Sequence, residues 1–249
     1  MRDGLRLAPA IFRFLGQDVI RTRRIYFSVL LGSVAGVQML LALRAPEPGL
    51  EGLATIHMLT LWIVAAPLCR SWLDEDVRLG YAAFWLQKPL TTFEFYLAWL
   101  LALVGWSIVA AATLSLACLP AFASAAGSPW EIAGVLLGTG WIPTLLVVLS
   151  FCGSALGARN SGLFAYGVLF AGFATPGFAD AVWLGPAYDI LELILPPSWA
   201  ALEAVRLLRA GSVGAALLEL QPIVLYTIAC ASLALLLALN TPVRLSRAE

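Results

Sequence analysis

The strongest restriction on this chain is where its charges are not. Long apolar blocks run through it whose interiors hold no Asp, Glu, Lys or Arg, and the charged residues collect between them. A helix needs about 20 mostly apolar residues to cross the hydrocarbon core of a bilayer. Six such blocks can be marked, at about 25–43, 53–72, 92–119, 129–158, 162–179 and 222–239. Only 12% of the 249 residues are charged and 61% are hydrophobic, against about 25% and 45–50% in a soluble domain. The sequence therefore predicts an all-α integral membrane protein, a six-transmembrane helix bundle forming one domain over residues 1–249.

The ends of the blocks carry local signals. Residues 1–24 are too polar to span, but between Leu5 and Ile20 the apolar Ile11, Phe12, Leu15 and Val19 share one helical face, with Arg13 and Gln17 on another. That pattern predicts an amphipathic interfacial helix. The run from Ile25 follows Arg21, Arg23 and Arg24 and reads as an uncleaved anchor. Thr91-Thr92-Phe93-Glu94 and Ser128-Pro129-Trp130-Glu131 are capping boxes that start the third and fourth spans. Residues 180–221 form a longer, half-polar segment, in which Pro196-Pro197-Ser198 opens a short amphipathic helix with Trp199, Leu202, Val205 and Leu208 on its apolar side. Cationic side chains orient the bundle. With the N-terminus inside, twelve Lys and Arg fall on the cytoplasmic side and only Arg44, Arg206 and Arg209 outside. Both termini are expected in the cytoplasm, in a multi-pass protein of the cytoplasmic (inner) membrane.

Several chemistries are disfavoured. Ionisable groups inside a bilayer are costly and are kept where proton coupling or catalysis needs them; their absence argues against a proton-driven carrier or an intramembrane protease. His57 is the only histidine, and Cys69, Cys118, Cys152 and Cys230 stand singly, so no metal site is expected. Gly153-Ser154-Ala155-Leu156-Gly157 has the outline of a nucleophile frame, but Gly32/Gly36 and Gly134/Gly138 repeat the spacing, which favours close helix packing. A P-loop needs a lysine after glycine, and the single lysine, Lys88, precedes proline. No catalytic, cofactor or metal site is expected in this chain.

The informative segment lies between the second and third blocks, at residues 74–90. Asp74, Glu75 and Asp76 favour a helix N-terminus and Lys88 its C-terminus. Val77, Tyr81, Phe84 and Trp85 recur at helical spacing, an aromatic face suited to a membrane surface or to a groove on another protein. Asp76 followed by Gly80, then Phe84-Trp85-Leu86-Gln87-Lys88-Pro89-Leu90 and Glu94-Phe95-Tyr96-Leu97-Ala98-Trp99, resembles the corresponding region of the ABC-2 family of ATP-binding cassette permeases. The layout of six spans, an amphipathic N-terminal helix and a longer segment before the last span is similar too. The acidic triplet is fuller than the family's pattern, and residues 180–221 are too few for a large extracellular domain.

The resemblance implies that residues 74–90 form a coupling helix docking on a cytoplasmic ATPase through Asp76, Arg78, Gly80, Tyr81, Phe84, Trp85, Lys88 and Pro89. It implies a second contact by the N-terminal helix (Ile11, Phe12, Leu15), and an outer re-entrant segment, 180–221, whose helix from Pro196 to Arg209 (Trp199, Leu202, Val205) dips into the outer leaflet, a helix lying flat on the surface being the alternative. The expected partners are an ABC ATPase subunit, which holds the ATP and magnesium, a second permease subunit, identical or not, and membrane lipid, with no nucleic acid. The function so implied is that of the permease subunit of an ATP-driven exporter, and an uncharged interior suits a lipid-like or amphipathic substrate. Two rivals stand beside it. One is a non-transporting scaffold that docks a cytoplasmic partner. The other is a lipid-headgroup enzyme with a metal on Asp74, Glu75 and Asp76, although adjacent acids on a helix point in different directions.

Overall fold

The computed structural model describes residues 9–14, 16–17, 29–30, 32–34, 36–37, 39–40, 44, 49–69, 91–178 and 186–240. Among these, every regular element is helical. They comprise α1 (Leu50–Ala65), continued by a 3-10 turn at Ala66–Leu68, then α2 (Thr92–Ala125), α3 (Pro129–Gly140), α4 (Ile142–Ala155) and α5 (Ser161–Ala174). A second 3-10 turn, Thr175–Phe178, precedes α6 (Pro186–Ile194), α7 (Ala200–Arg209) and α8 (Val213–Asn240). Described residues within 9–17 and 29–40 are helical as well.

Among the described residues three helices are long and apolar enough to cross a bilayer: α2 with 34 residues, α3 with α4 over Pro129–Ala155, and α8 over Val213–Leu239. At 1.5 Å per residue α2 is roughly 50 Å long, well beyond the ~30 Å hydrocarbon core. Gly52–Leu68 and Ser161–Ala174 are shorter apolar helices. These candidate spans point to a multi-pass membrane protein. The first block expected from the sequence, 25–43, is described only at residues 29–30, 32–34, 36–37 and 39–40.

The centre of the bundle is α4, all fourteen of whose residues are buried. It is packed by α1, α2, α5 and α8, and Leu145, Leu146 and Phe151 share a core with Trp99, Leu103 and Leu169. Lipid tails are as apolar as leucine, so burial alone cannot hold such helices together; close packing and polar ties do. Such ties cross several of the seams. His57 Nε2 meets Ser115 Oγ at 3.3 Å between α1 and α2, and Ser107 Oγ meets Thr144 Oγ1 at 3.0 Å between α2 and α4. Ser150 and Ser161 pair at 3.1 Å across α4 and α5, and Trp141 Nε1 donates to Thr227 Oγ1 on α8 at 3.0 Å. The Tyr166 hydroxyl donates to the Trp62 carbonyl, joining α5 to α1. Each tie contributes about 0.6 kcal/mol on the average of such bonds in membrane bundles.

Helix ends follow local chemistry. Thr91 Oγ1 accepts from the Glu94 amide at 3.2 Å while Glu94 Oε2 accepts from the Thr91 amide at 3.2 Å, a complete capping box at the start of α2. At α3 the box is rearranged: Ser128 accepts from the Glu131 amide, but the Glu131 carboxylate takes the Gly127 amide instead, at 2.9 Å. Asn160 caps α5 through the Leu163 amide. Gly157 (φ 80°) and Gly211 (φ 79°) end α4 and α7. In both, the next amide reaches back to a last-turn carbonyl, Ala158 to Gly153 and Ser212 to Leu207 at 2.9 Å each, a cap that needs the left-handed backbone glycine adopts freely.

Three boundaries differ from those the apolar blocks predict. The block at 129–158 is broken at Trp141, because Pro143 has no N–H for the Thr139 carbonyl and two glycines, Gly138 and Gly140, precede the break. The helix expected to close near Leu119 runs through Pro120 to Ala125, carried by Phe122, which is fully buried and edge-on to His57. The last helix starts at Val213 and passes through Pro222, with Ala216 packed beneath Ala204 and Leu208 of α7.

Candidate functional site

Helix α7 is where the bundle departs most from simple spans. Its residues Ala200, Ala201, Ala204, Val205 and Leu208 are buried, a stripe at helical spacing, while Arg206 is exposed. The stripe sits on two glycine steps of α3. A Cβ on Gly138 would stand 3.0 Å from the Ala201 carbonyl oxygen, and one on Gly134 would run into the Leu208 side chain. Backbones can therefore approach closely there, as small residues allow between membrane helices. Ile223 and Ala216 of α8 cover the rest of the stripe, and Val205 joins Leu53, Ala54 and Phe122 in a second core.

The turn that delivers the chain into α7 is also held. The Pro196 carbonyl passes directly over Gly172 of α5, in space a Cβ would fill. That carbonyl accepts from the Ser198 amide at 2.7 Å, and the Tyr226 hydroxyl of α8 donates to the Ile194 carbonyl at 2.7 Å. Ahead of the turn, α6 is exposed, with Leu193 81% accessible.

Between α7, the first turns of α1 and Pro176 lies a recess of about 350 Å³. It is lined by the buried Ala54 and Val205 and by Trp199 and Pro176. Its polar groups are Thr55 and an ion pair, Arg206 Nη2 to Glu203 Oε1 at 2.9 Å, with Arg206 Nε at 3.2 Å from the same oxygen. The recess thus joins an apolar lining, an indole and one charge of each sign.

The other residues singled out by sequence are distributed as follows. Ile11 is fully buried in the main core, the Phe12 ring stacks on Trp106 at 4.6 Å and 10°, and Trp106 Nε1 donates to the Phe12 carbonyl at 2.7 Å. Arg13 and Gln17 are exposed, so the expected polar face points away from the bundle. Leu15 lies outside the described residues, as do Asp76, Arg78, Gly80, Tyr81, Phe84, Trp85, Lys88 and Pro89. Trp199 precedes α7 and lines the recess, Val205 is buried beneath it, and the Leu202 side chain is outside the description. His57 is fully buried against Ser115 and Phe122, and Gly153 lies under the Phe164 ring. Among the described residues no group of three His, Cys, Asp or Glu could hold a metal.

The contact at Trp106 makes a direct prediction. Trp106→Phe keeps a ring under Phe12 but removes the donor to its carbonyl, a loss of about 1 kcal/mol or roughly five-fold in the opening equilibrium. Tryptic cleavage after Arg13 in the detergent-purified protein is expected to accelerate by that factor; an unchanged rate would mean that the bond does not hold the segment.

The ion pair and the alanine stripe were missed by sequence reasoning. The signal was there in Glu203 and Arg206 at i, i+3 opposite Ala200, Ala201 and Ala204, but alanine carries little hydropathy and a recess needs three separate segments. No family model, curated protein or solved structure matches this chain.

Proposed function

We propose that the chain is the membrane-spanning permease subunit of an ATP-driven exporter of the ABC-2 kind, with six spans and both termini cytoplasmic. In this reading a separate ATPase binds ATP and magnesium and docks on the helix at residues 74–90, and a second permease subunit completes the complex. The observation that carries the reading is the seating of α7. A scaffold needs no short amphipathic helix inserted between its fifth and last apolar segments, whereas an exporter needs an element near the exit that can shift without breaking the bundle. The close approach of the Ala201 carbonyl to Gly138, between small residues, suits such a shift. The packing of Ile11 and Phe12 onto α2 would transmit motion from a cytoplasmic contact to that helix. The uncharged interior suits a lipid-like or amphipathic substrate.

The test is affinity purification of the tagged chain from its native membrane in mild detergent, beside Phe84→Asp/Trp85→Asp. The wild type is expected to retain a P-loop ATPase and the double variant to lose it. If the wild type retains none, the docking reading fails and a non-transporting scaffold takes its place.

A further inference from the structure

We propose that the recess between α7 and α1 binds the headgroup of a zwitterionic phospholipid, its phosphate on Arg206 and its amine on Glu203. The site stands whether or not the chain partners an ATPase, because it rests on the recess alone. At about 350 Å³ the space lies at the lower end of small-ligand sites, roughly 300–1,000 Å³.

Its lining divides as an amphipathic ligand does. Ala54 and Val205 are buried and offer apolar side chains. On α1 the exposed Thr55 at the recess is followed one turn later by Leu59, 46% accessible, so the same helical face continues as apolar surface where an acyl chain can lie. Trp199 supplies an indole, the side chain favoured where apolar and polar layers of a membrane meet.

The charges select the headgroup. An anionic lipid on Arg206 would face the Glu203 carboxylate, which shares the recess, and a cationic ligand on Glu203 would face the guanidinium. A zwitterion satisfies both. Guanidinium binds phosphate oxygens through parallel N–H bonds. The existing pair does not oppose this: the Arg206 side chain is 70% exposed, and exposed pairs of this kind contribute little, so a headgroup can part them at small cost.

The same phosphate-and-amine chemistry could come from a lipid or from a soluble phosphoethanolamine ester, and the experiment separates them. The full chain, purified in a maltoside detergent, is titrated with short-chain phosphatidylethanolamine, short-chain phosphatidylglycerol and glycerophosphoethanolamine, with bound ligand read by native mass spectrometry. Phosphatidylethanolamine is expected to bind about ten-fold tighter than either other ligand, and Arg206→Gln and Glu203→Gln each to weaken it by about ten-fold. Thr55→Trp, an exposed position, is expected to block the recess without touching either charge, while Arg159→Gln leaves binding unchanged. Equal binding of the phosphatidylglycerol, binding of the soluble ester as tight as the lipid's, or full binding by Arg206→Gln in a folded protein would overturn the proposal.

Discussion

An aspartate in place of Ile108 is expected to weaken the membrane insertion of α2 by a factor on the order of 100, although Ile108 is not part of the buried core. It lies near the middle of the 34-residue α2 and is 53% accessible. Leu101, Val109, Leu116 and Leu119 are exposed on the same helix, Leu116 by 70%. In water an exposed isoleucine-to-aspartate change is close to neutral, within about 0.5 kcal/mol. At the centre of a span an aspartate costs roughly 2.5–3.5 kcal/mol of insertion free energy, and its short side chain cannot reach the interface. The two environments thus differ by a factor on the order of 100. Ile108→Leu is the control, and the measurement is the inserted fraction of α2 presented as a test segment in a carrier protein with a glycosylation site on either side of it. An insertion equilibrium unchanged by Ile108→Asp would remove α2 from the list of spans.

The same helix shows what the sequence carries openly and what it conceals. Its start is legible because Thr91 and Glu94 do chemistry within one turn, and the bonds can be read from residue types at fixed spacing. Its end is not. Proline at position 120 reads as a stop, yet it costs one hydrogen bond near the terminus, and the burial of Phe122 beside His57 on α1 carries the helix on. The same conflict hides the start of α8. Glu219 and Gln221 make residues 213–221 look like a continuation of the polar segment, and only the contact of Ala216 with Ala204 and Leu208 shows why they are helical. Glycine spacing at 134 and 138 marks a close approach, but not what approaches. The recess draws on Ala54, Pro176 and Arg206, three stretches with no local relation, so nothing in the sequence announces it. In each case local chemistry is legible and partners distant in sequence are not.

Those distant partners set the second large effect. Gly→Ala within a helix ordinarily stabilises by about 1 kcal/mol, so a loss at Gly172 or Gly134 measures the crowding each position faces. At Gly134 the obstacle is the Leu208 side chain. Gly134→Ala is expected to cost about 1–3 kcal/mol of overpacking, and Leu208→Ala, harmful alone, should recover part of it in the double variant. At Gly172 the obstacle is the Pro196 carbonyl, with the proline ring 2.9 Å and Ser198 Oγ 3.1 Å from the added Cβ. That carbonyl is fixed by consecutive prolines and by the Ser198 amide, so no side-chain truncation makes room. Gly172→Ala must move the turn that delivers α7, and at about 2 kcal/mol of overpacking and about 2–4 °C per kcal/mol for a chain of this size is expected to lower the melting temperature in detergent by roughly 4–8 °C, without rescue by Ser198→Ala. Thermal unfolding followed by size-exclusion recovery measures all of these variants. A Gly172→Ala protein as stable as the wild type would show that the Pro196 turn does not rest on α5, and α7 would then be held by its packing on α3 and α8. Loss at Gly172 with rescue confined to Gly134 would instead show α7 clamped from two sides, by backbone at its entry and by side chains along its length.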